Sequence, residues 1–239
     1  MSVPPLTVRP VVHTDHLDTY LDLYRALGAT VITRDPMWSE VTFGAGRIAL
    51  HALFDGVAEG EVAFGFETTD LAAVAGSVTP PEGMRVALVQ ADHGTAVEVT
   101  GRDGLTFTVD ERPDASGPDN GTWVKQLWVS PDVPRAAEDL RALGLALRLT
   151  ETNGRTIDLS AAEGGVLVHH ADEGRVGATY EIDVPDLDAA HKALLDAGFA
   201  HDVIDETHGR TLKVALPGTD RPLWVVREDD DPVGVIRHD

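Results

Sequence analysis

The chain has 239 residues, enough for a full core, and carries a formal net charge of −21 from 40 acidic and 19 basic residues. That field repels phosphate backbones, so no nucleic-acid partner is expected. There is no cysteine, which removes disulfides, thiolate nucleophiles and cysteine-held zinc together. No stretch approaches the ~20 apolar residues of a membrane span, and Met1-Ser2-Val3-Pro4-Pro5 lacks the basic start and apolar core of a signal. A cytoplasmic protein with no membrane partner is expected.

Residues 8–12 read as a short apolar strand. Thr14 or Asp15 then caps a helix whose Leu17, Tyr20, Leu21, Tyr24 and Leu27 fall at spacings of three and four, one apolar stripe ended by Gly28. Strand-like runs follow at 30–33, 40–43 and 47–53, giving the order β-α-β-β-β. The order recurs three times. Unit two opens at 61–67, has a brief helix at 71–78 ahead of Pro80-Pro81, and closes at 105–109. Unit three opens at 123–129, has a helix at 133–143 stopped by Gly144, and closes at 166–170. Unit four opens at 178–184, has a helix at 187–197 and closes at 223–226.

Internal repetition supports this division. Residues 151–159 and 206–214 share five of nine identities, each joining an Asn-Gly or His-Gly dipeptide to an alternating run, and 92–99 is a weaker copy. Arg25-Ala26-Leu27-Gly28 and Arg141-Ala142-Leu143-Gly144 occupy one place in units one and three. Residues 111–121, with Pro113, Gly117 and Pro118, read as a linker between two domains, 1–112 and 120–239. The first holds units 7–54 and 61–110, the second units 122–171 and 177–228. The acidic run 228–231 reads as a solvated tail.

An α+β chain of four such units resembles the vicinal oxygen chelate superfamily, which includes glyoxalase I, extradiol dioxygenases and bleomycin-resistance proteins. Val11-Val12 through Leu27-Gly28, Gly46 to His51 and Tyr180 to Leu187 carry the resemblance. It implies units paired into two glyoxalase-like domains with curved mixed sheets, each closing around a cavity. Metal-dependent members place His or Glu on the first and last strands of paired units. Counting back from the aspartate that opens each helix puts the first-strand positions at Arg9, Phe64, Gln126 and Tyr180. A one-residue slip gives Val8, Ala63, Lys125 and Thr179. The last-strand positions fall at Ala49, Thr106, Val168 and Trp224. Of all these positions only Gln126 is a conceivable ligand, and amides bind such ions poorly. No metal cofactor is therefore expected, with a divalent ion as the alternative.

His51 and His170 lie two residues beyond the last-strand positions of units one and three. They serve either a metal or acid–base role or simply hydrogen-bond at the rim or core. With Glu181 they make the alternative metal set. His169 has opposite parity, and His13 sits at a strand–helix junction. His93 and His208 read as turn residues, and Arg155 and Arg210 as strand starts open to anions or to solvent. Trp38, Phe66, Trp128, Tyr180 and Trp224 lie on or beside strands, where they either pack a core or wall a cavity. The expected ligand-binding set is Trp128, Tyr180, Trp224, Gln126, His51, His170, Arg9 and Phe64, with catalytic residues unassigned. The expected function is a monomeric or homodimeric protein that sequesters a small organic molecule such as an antibiotic, cationic ligands being favoured by the acidic charge. The alternative is a metal-dependent isomerase, lyase or dioxygenase of that superfamily.

Overall fold

A computed structural model describes residues 2–91, 94–112, 117–118, 120–206, 209–227 and 234–238. Asp92, His93, Thr207, His208, the middle of the linker and the acidic run lie outside these. Unit one comprises β1 (Thr7–Val8), β2 (Val11–His13), α1 (Leu17–Ala26), β3 (Thr30–Arg34), β4 (Trp38–Thr42) and β5 (Arg47–His51). Unit two comprises β6 (Val62–Ala63), β7 (Gly65–Thr68), α2 (Leu71–Ser77), β8 (Arg85–Ala91), β9 (Gly94–Thr100) and β10 (Thr106–Glu111). Unit three comprises β11 (Trp123–Ser130), α3 (Val133–Ala142), β12 (Ala146–Glu151), β13 (Thr156–Ser160) and β14 (Gly165–His170). Unit four comprises β15 (Gly177–Asp183), α4 (Leu187–Asp196), β16 (His201–Glu206), β17 (Gly209–Val214) and β18 (Leu223–Val226). The expected order holds in all four. A last strand not foreseen in the sequence, β19 (Val235–Arg237), pairs antiparallel with β12.

The first strand of unit one is broken. Pro10 has no N–H to give a ladder, and the chain divides there into β1 and β2. As a result units one and two form two five-stranded sheets, β3-β4-β5-β2-β6 and β1-β7-β10-β9-β8. These run into one another at the Arg9 N–H, which donates to the Gly65 carbonyl at 3.0 Å. Units three and four form one nine-stranded sheet, β16-β17-β18-β15-β11-β14-β13-β12-β19, with parallel and antiparallel neighbours. The sheets are mixed, curved and unclosed, and with four helices they make an α+β fold.

The helices are set by their caps. Asp70, Asp132 and Asp186 each accept the N–H three residues on, from Ala73, Arg135 and Ala189, and so start α2, α3 and α4. In α1 the cap position is His16, which makes no side-chain cap bond. Leu27 and Leu143 end their helices with Gly28 and Gly144 at φ +89° and +92°, a left-handed turn glycine takes without strain.

Alternation along the strands gives each sheet one apolar face, and those faces meet in one shared core. Tyr24 of α1 packs edge-on to Phe43 at 6.1 Å, which fixes the side of β4 carrying Val41 and Phe43 as the helix side. Val12, Ile48, Leu50, Phe66, Val97, Val109, Val124, Val166, Ile182 and Val225 join that core, all fully buried. Leu27 and Leu143 are both buried in it. Leu27→Ala and Leu143→Ala should each cost about 2–5 kcal/mol in denaturant melts. A neutral result for either would place its helix face outside the core.

Candidate functional site

The faces turned away from the helices are those on which this fold could hold a ligand, and their register is fixed by strand pairing. Val11 sits opposite both Ala49 and Ala63, Lys125 opposite Glu181, Leu127 opposite Thr179, and Glu181 opposite Trp224. The inward first-strand positions are therefore Arg9, Ala63, Lys125 and Thr179. The counted positions Phe64, Gln126 and Tyr180 lie one residue off this face, whereas Arg9 lies on it. The reference aspartates of that count cap α2, α3 and α4, whereas Asp15 precedes the His16 cap of α1. On a strand one residue reverses the face.

Four expected ligand-binding residues consequently lie in the core between the two halves. Gln126 Nε2 donates to the Gly65 carbonyl at 2.7 Å, and its Oε1 accepts the Gly65 N–H at 2.9 Å. Trp128 is fully buried against Phe64 and Phe107, with ring centroids at 5.7 and 5.8 Å. Its Nε1 donates to Asp103 at 2.8 Å. A Cβ on Gly101 would stand 2.6 Å from the indole, so this approach requires glycine. Tyr180 bonds Tyr24 through their hydroxyls at 2.6 Å, and burial pushes both phenols above the ordinary tyrosine range. Phe64 and Phe66 pack in the same aromatic group, and Val168 shares the face of Trp128.

The inward face of the first half is polar and buried. Arg9 Nη2 pairs with Asp110, and Arg9 Nε lies 3.2 Å from Glu67 Oε1. Arg47 Nη1 lies 3.2 Å from Glu40 Oε1 and 3.3 Å from Glu67 Oε2. Burial, opposed by Arg9, raises the Glu67 carboxyl to about 7, with Glu40 adding to the rise. Beside this network the cross-strand pairs Trp38–His51 and His13–His51 form a row over β4, β5 and β2. The Trp38–His51 and His13–His51 ring centroids stand 5.9 and 5.7 Å apart. Phe54 closes on both imidazoles at about 5.5 Å, and the Arg9 guanidinium lies 5.4 Å from the Trp38 ring centroid. His51 Nδ1 meets the Ala52 carbonyl and His13 Nδ1 the Glu61 carbonyl. Burial, aided by His51, holds the His13 pKa below the ordinary histidine value.

Arg9 and His51 thus share one face, with His13 and Trp38 beside them. Glu67, Arg47, Glu40 and Asp110 escaped the sequence reading. Their signal was there in Arg47-x-Ala49-x-His51 and Gly65-x-Glu67, charged residues alternating with the buried apolar Ile48, Leu50 and Phe66.

The inward face of the second half carries Lys125, with Nζ 2.7 Å from Asp183 Oδ2. Burial works against this ammonium, but Asp183, Asp158 and Glu181 raise its pKa above the ordinary lysine value. Trp224 lies on this face too, opposite Glu181. His169 shares it by register and is exposed, while His170 has the core-side parity and approaches Asp172 at 3.7 Å. Arg155 and Arg210 pair with the exposed carboxylates of Asp172 and Asp188.

No protein-family model matches the sequence, and no curated protein does. Solved structures do match over the whole length. A catechol 2,3-dioxygenase is 15% identical, with a TM-score of 0.60, over 100% of this chain and 95% of its own. The 2,2',3-trihydroxybiphenyl 1,2-dioxygenase from Sphingomonas wittichii strain RW1 is 15% identical, with a TM-score of 0.62, over 100% and 99%. The 2,3-dioxygenase LapB from Pseudomonas sp. KL28 is 13% identical, with a TM-score of 0.63, over 97% and 95%. The chain has the fold of the vicinal oxygen chelate superfamily.

Within that fold, the residues at the metal-bearing positions do not fit a divalent ion. Two of the four inward first-strand positions hold cations, Arg9 and Lys125, which repel a metal, and the others hold Ala63 and Thr179. No group of three or more His, Asp or Glu suited to a metal occurs among the described residues. The alternative set is also dispersed, since His51 lies in the first half while His170 and Glu181 sit on opposite faces of the second.

Glu67 yields a pH prediction. Its raised pKa means that between about 4.5 and 7 the native protein retains a proton the unfolded chain has released. Stability from this group is therefore highest below that window and falls as pH rises through it. Glu67→Gln should flatten the fall in melting temperature across the window. An unchanged slope would mean that Glu67 titrates as an ordinary carboxylate.

Proposed function

We propose that this chain binds a small planar organic molecule on the inward face of its first half, against Trp38, His51, His13 and Phe54. The row of aromatic rings beside a buried guanidinium carries this reading. Phe54 is more than half exposed although its ring is large and apolar, which leaves contact area for a flat ligand. The buried charges here are mixed, with Arg9, Arg47 and Arg112 facing Glu40, Glu67 and Asp110. Local chemistry, rather than the overall acidity, selects the ligand. The compared structures lend no support to an antibiotic, since they are dioxygenases.

Those dioxygenases favour a second reading, an enzyme of their kind in place of a sequestering protein. Its requirement is a metal, for which His13 and His51 offer two imidazoles engaged at Nδ1, one short of the three protein ligands such sites use. Metal analysis of purified protein, with oxygen uptake on catechol, separates the readings. Stoichiometric divalent metal with uptake would establish the enzyme.

Trp38→Ala should weaken binding of a small aromatic ligand by roughly 1–3 kcal/mol, the loss of one large apolar contact. Trp128→Ala should instead cost about 3–5 kcal/mol of stability, because Trp128 is core. Fluorescence titrations with a panel of small aromatic compounds, paired with denaturant melts, would check both. Loss of binding through Trp128 with none through Trp38 would move the site to the other face.

A further inference from the structure

We propose that Arg9 and Glu67 jointly hold an ionising hydroxyl group of that ligand, Glu67 taking its proton and Arg9 the resulting oxyanion. This rests on the ligand site proposed above and names the chemistry its occupant must carry.

The two side chains are only 4% and 3% exposed. Arg9 Nη1 donates no hydrogen bond, and Glu67 Oε2 accepts none even with Arg47 Nη1 at 3.3 Å. A buried donor with no acceptor, and a buried carboxylate oxygen held by an ion pair but no hydrogen bond, are both unfavourable. A single atom that accepts from the guanidinium and donates to the carboxylate answers both. Hydroxyl oxygen does this, whereas a carboxylate has no proton to give and an ammonium has no lone pair. Trp38, half-buried over Arg9, also belongs to the aromatic row, so a ring held there can place its hydroxyl at the network.

The charges around Glu67 suit proton transfer. Arg9 faces it from the β1–β2 junction, Arg47 from β5, Glu40 from β4, and Asp110 and Arg112 from β10 and just beyond. Its pKa of about 7 lets it act as a base near neutrality. In the step the ligand O–H bond breaks, the proton passes to the Glu67 carboxylate, and the electron pair stays on oxygen. Charge is conserved and no further reactant is needed. The guanidinium, always protonated, stabilises the oxyanion.

Methyl 4-hydroxybenzoate and its 4-methoxy counterpart test this by absorbance, tryptophan emission and calorimetry in buffers of different ionisation enthalpy. At about pH 7.5 a free phenol is mainly neutral and Glu67 mainly ionised. The bound phenol should show phenolate absorbance while no proton reaches the buffer. Glu67→Gln should reduce the ionised fraction of bound phenol roughly tenfold or more, with circular dichroism confirming its fold. Should that variant fail to fold, the proton balance of the unaltered protein decides. Phenolate formed with release of a proton to the buffer would overturn the role of Glu67. Equal binding of both esters without spectral change would overturn the hydroxyl site but leave the aromatic site standing. If neither ester alters the emission, the aromatic site and this inference fall together.

Discussion

Gln126 and Gly65 hold the two halves together at the point from which everything else is oriented. One side-chain amide satisfies both backbone groups of a buried residue on a strand of the other half. Without it the Gly65 N–H would be left unmet in a dry core, while the carbonyl would keep only the Arg9 N–H. The contact also sets which way every neighbouring residue points. With Gln126 facing the other half, Trp128 must pack on Phe64 and Phe107, while Lys125 and Leu127 turn inward. Around it Tyr24–Tyr180 and Arg102–Asp139 bridge the same division.

Committing the apolar faces to a shared core leaves the polar faces to form the two concave surfaces. A buried ion network is not an economical way to stabilise a protein, since desolvation offsets most of the Coulomb gain. The Arg9–Glu67–Arg47–Glu40 cluster is thus more readily understood as chemistry than as scaffolding. Its fixed guanidinium places positive charge on the inward face of the first half. The second half repeats the motif with Lys125 and Asp183 at corresponding strands.

The site was only partly legible in the sequence. Arg9, His51 and Trp38 were all singled out, because polar and aromatic residues stand out on apolar strands. Gln126, Trp128 and Tyr180 were singled out for the same reason, yet they serve the contact between halves. Nothing local distinguishes an aromatic residue that walls a cavity from one that fills a core. Glu67 and Arg47 looked like ordinary strand residues until pairing placed them face to face.

The four β-α-β-β-β units, their order and most helix ends are legible along the chain. Those follow from periodicity, aspartate caps and terminating glycines, all of which act within a few residues. Which face of each strand turns inward is not legible there. The cap of α1 falls one residue later than Asp15 suggests, at His16, and a strand reverses its faces with a single step. That choice is made by long-range pairing, Val11 with Ala49 and Ala63, Lys125 with Glu181. No local signal in the chain carries it.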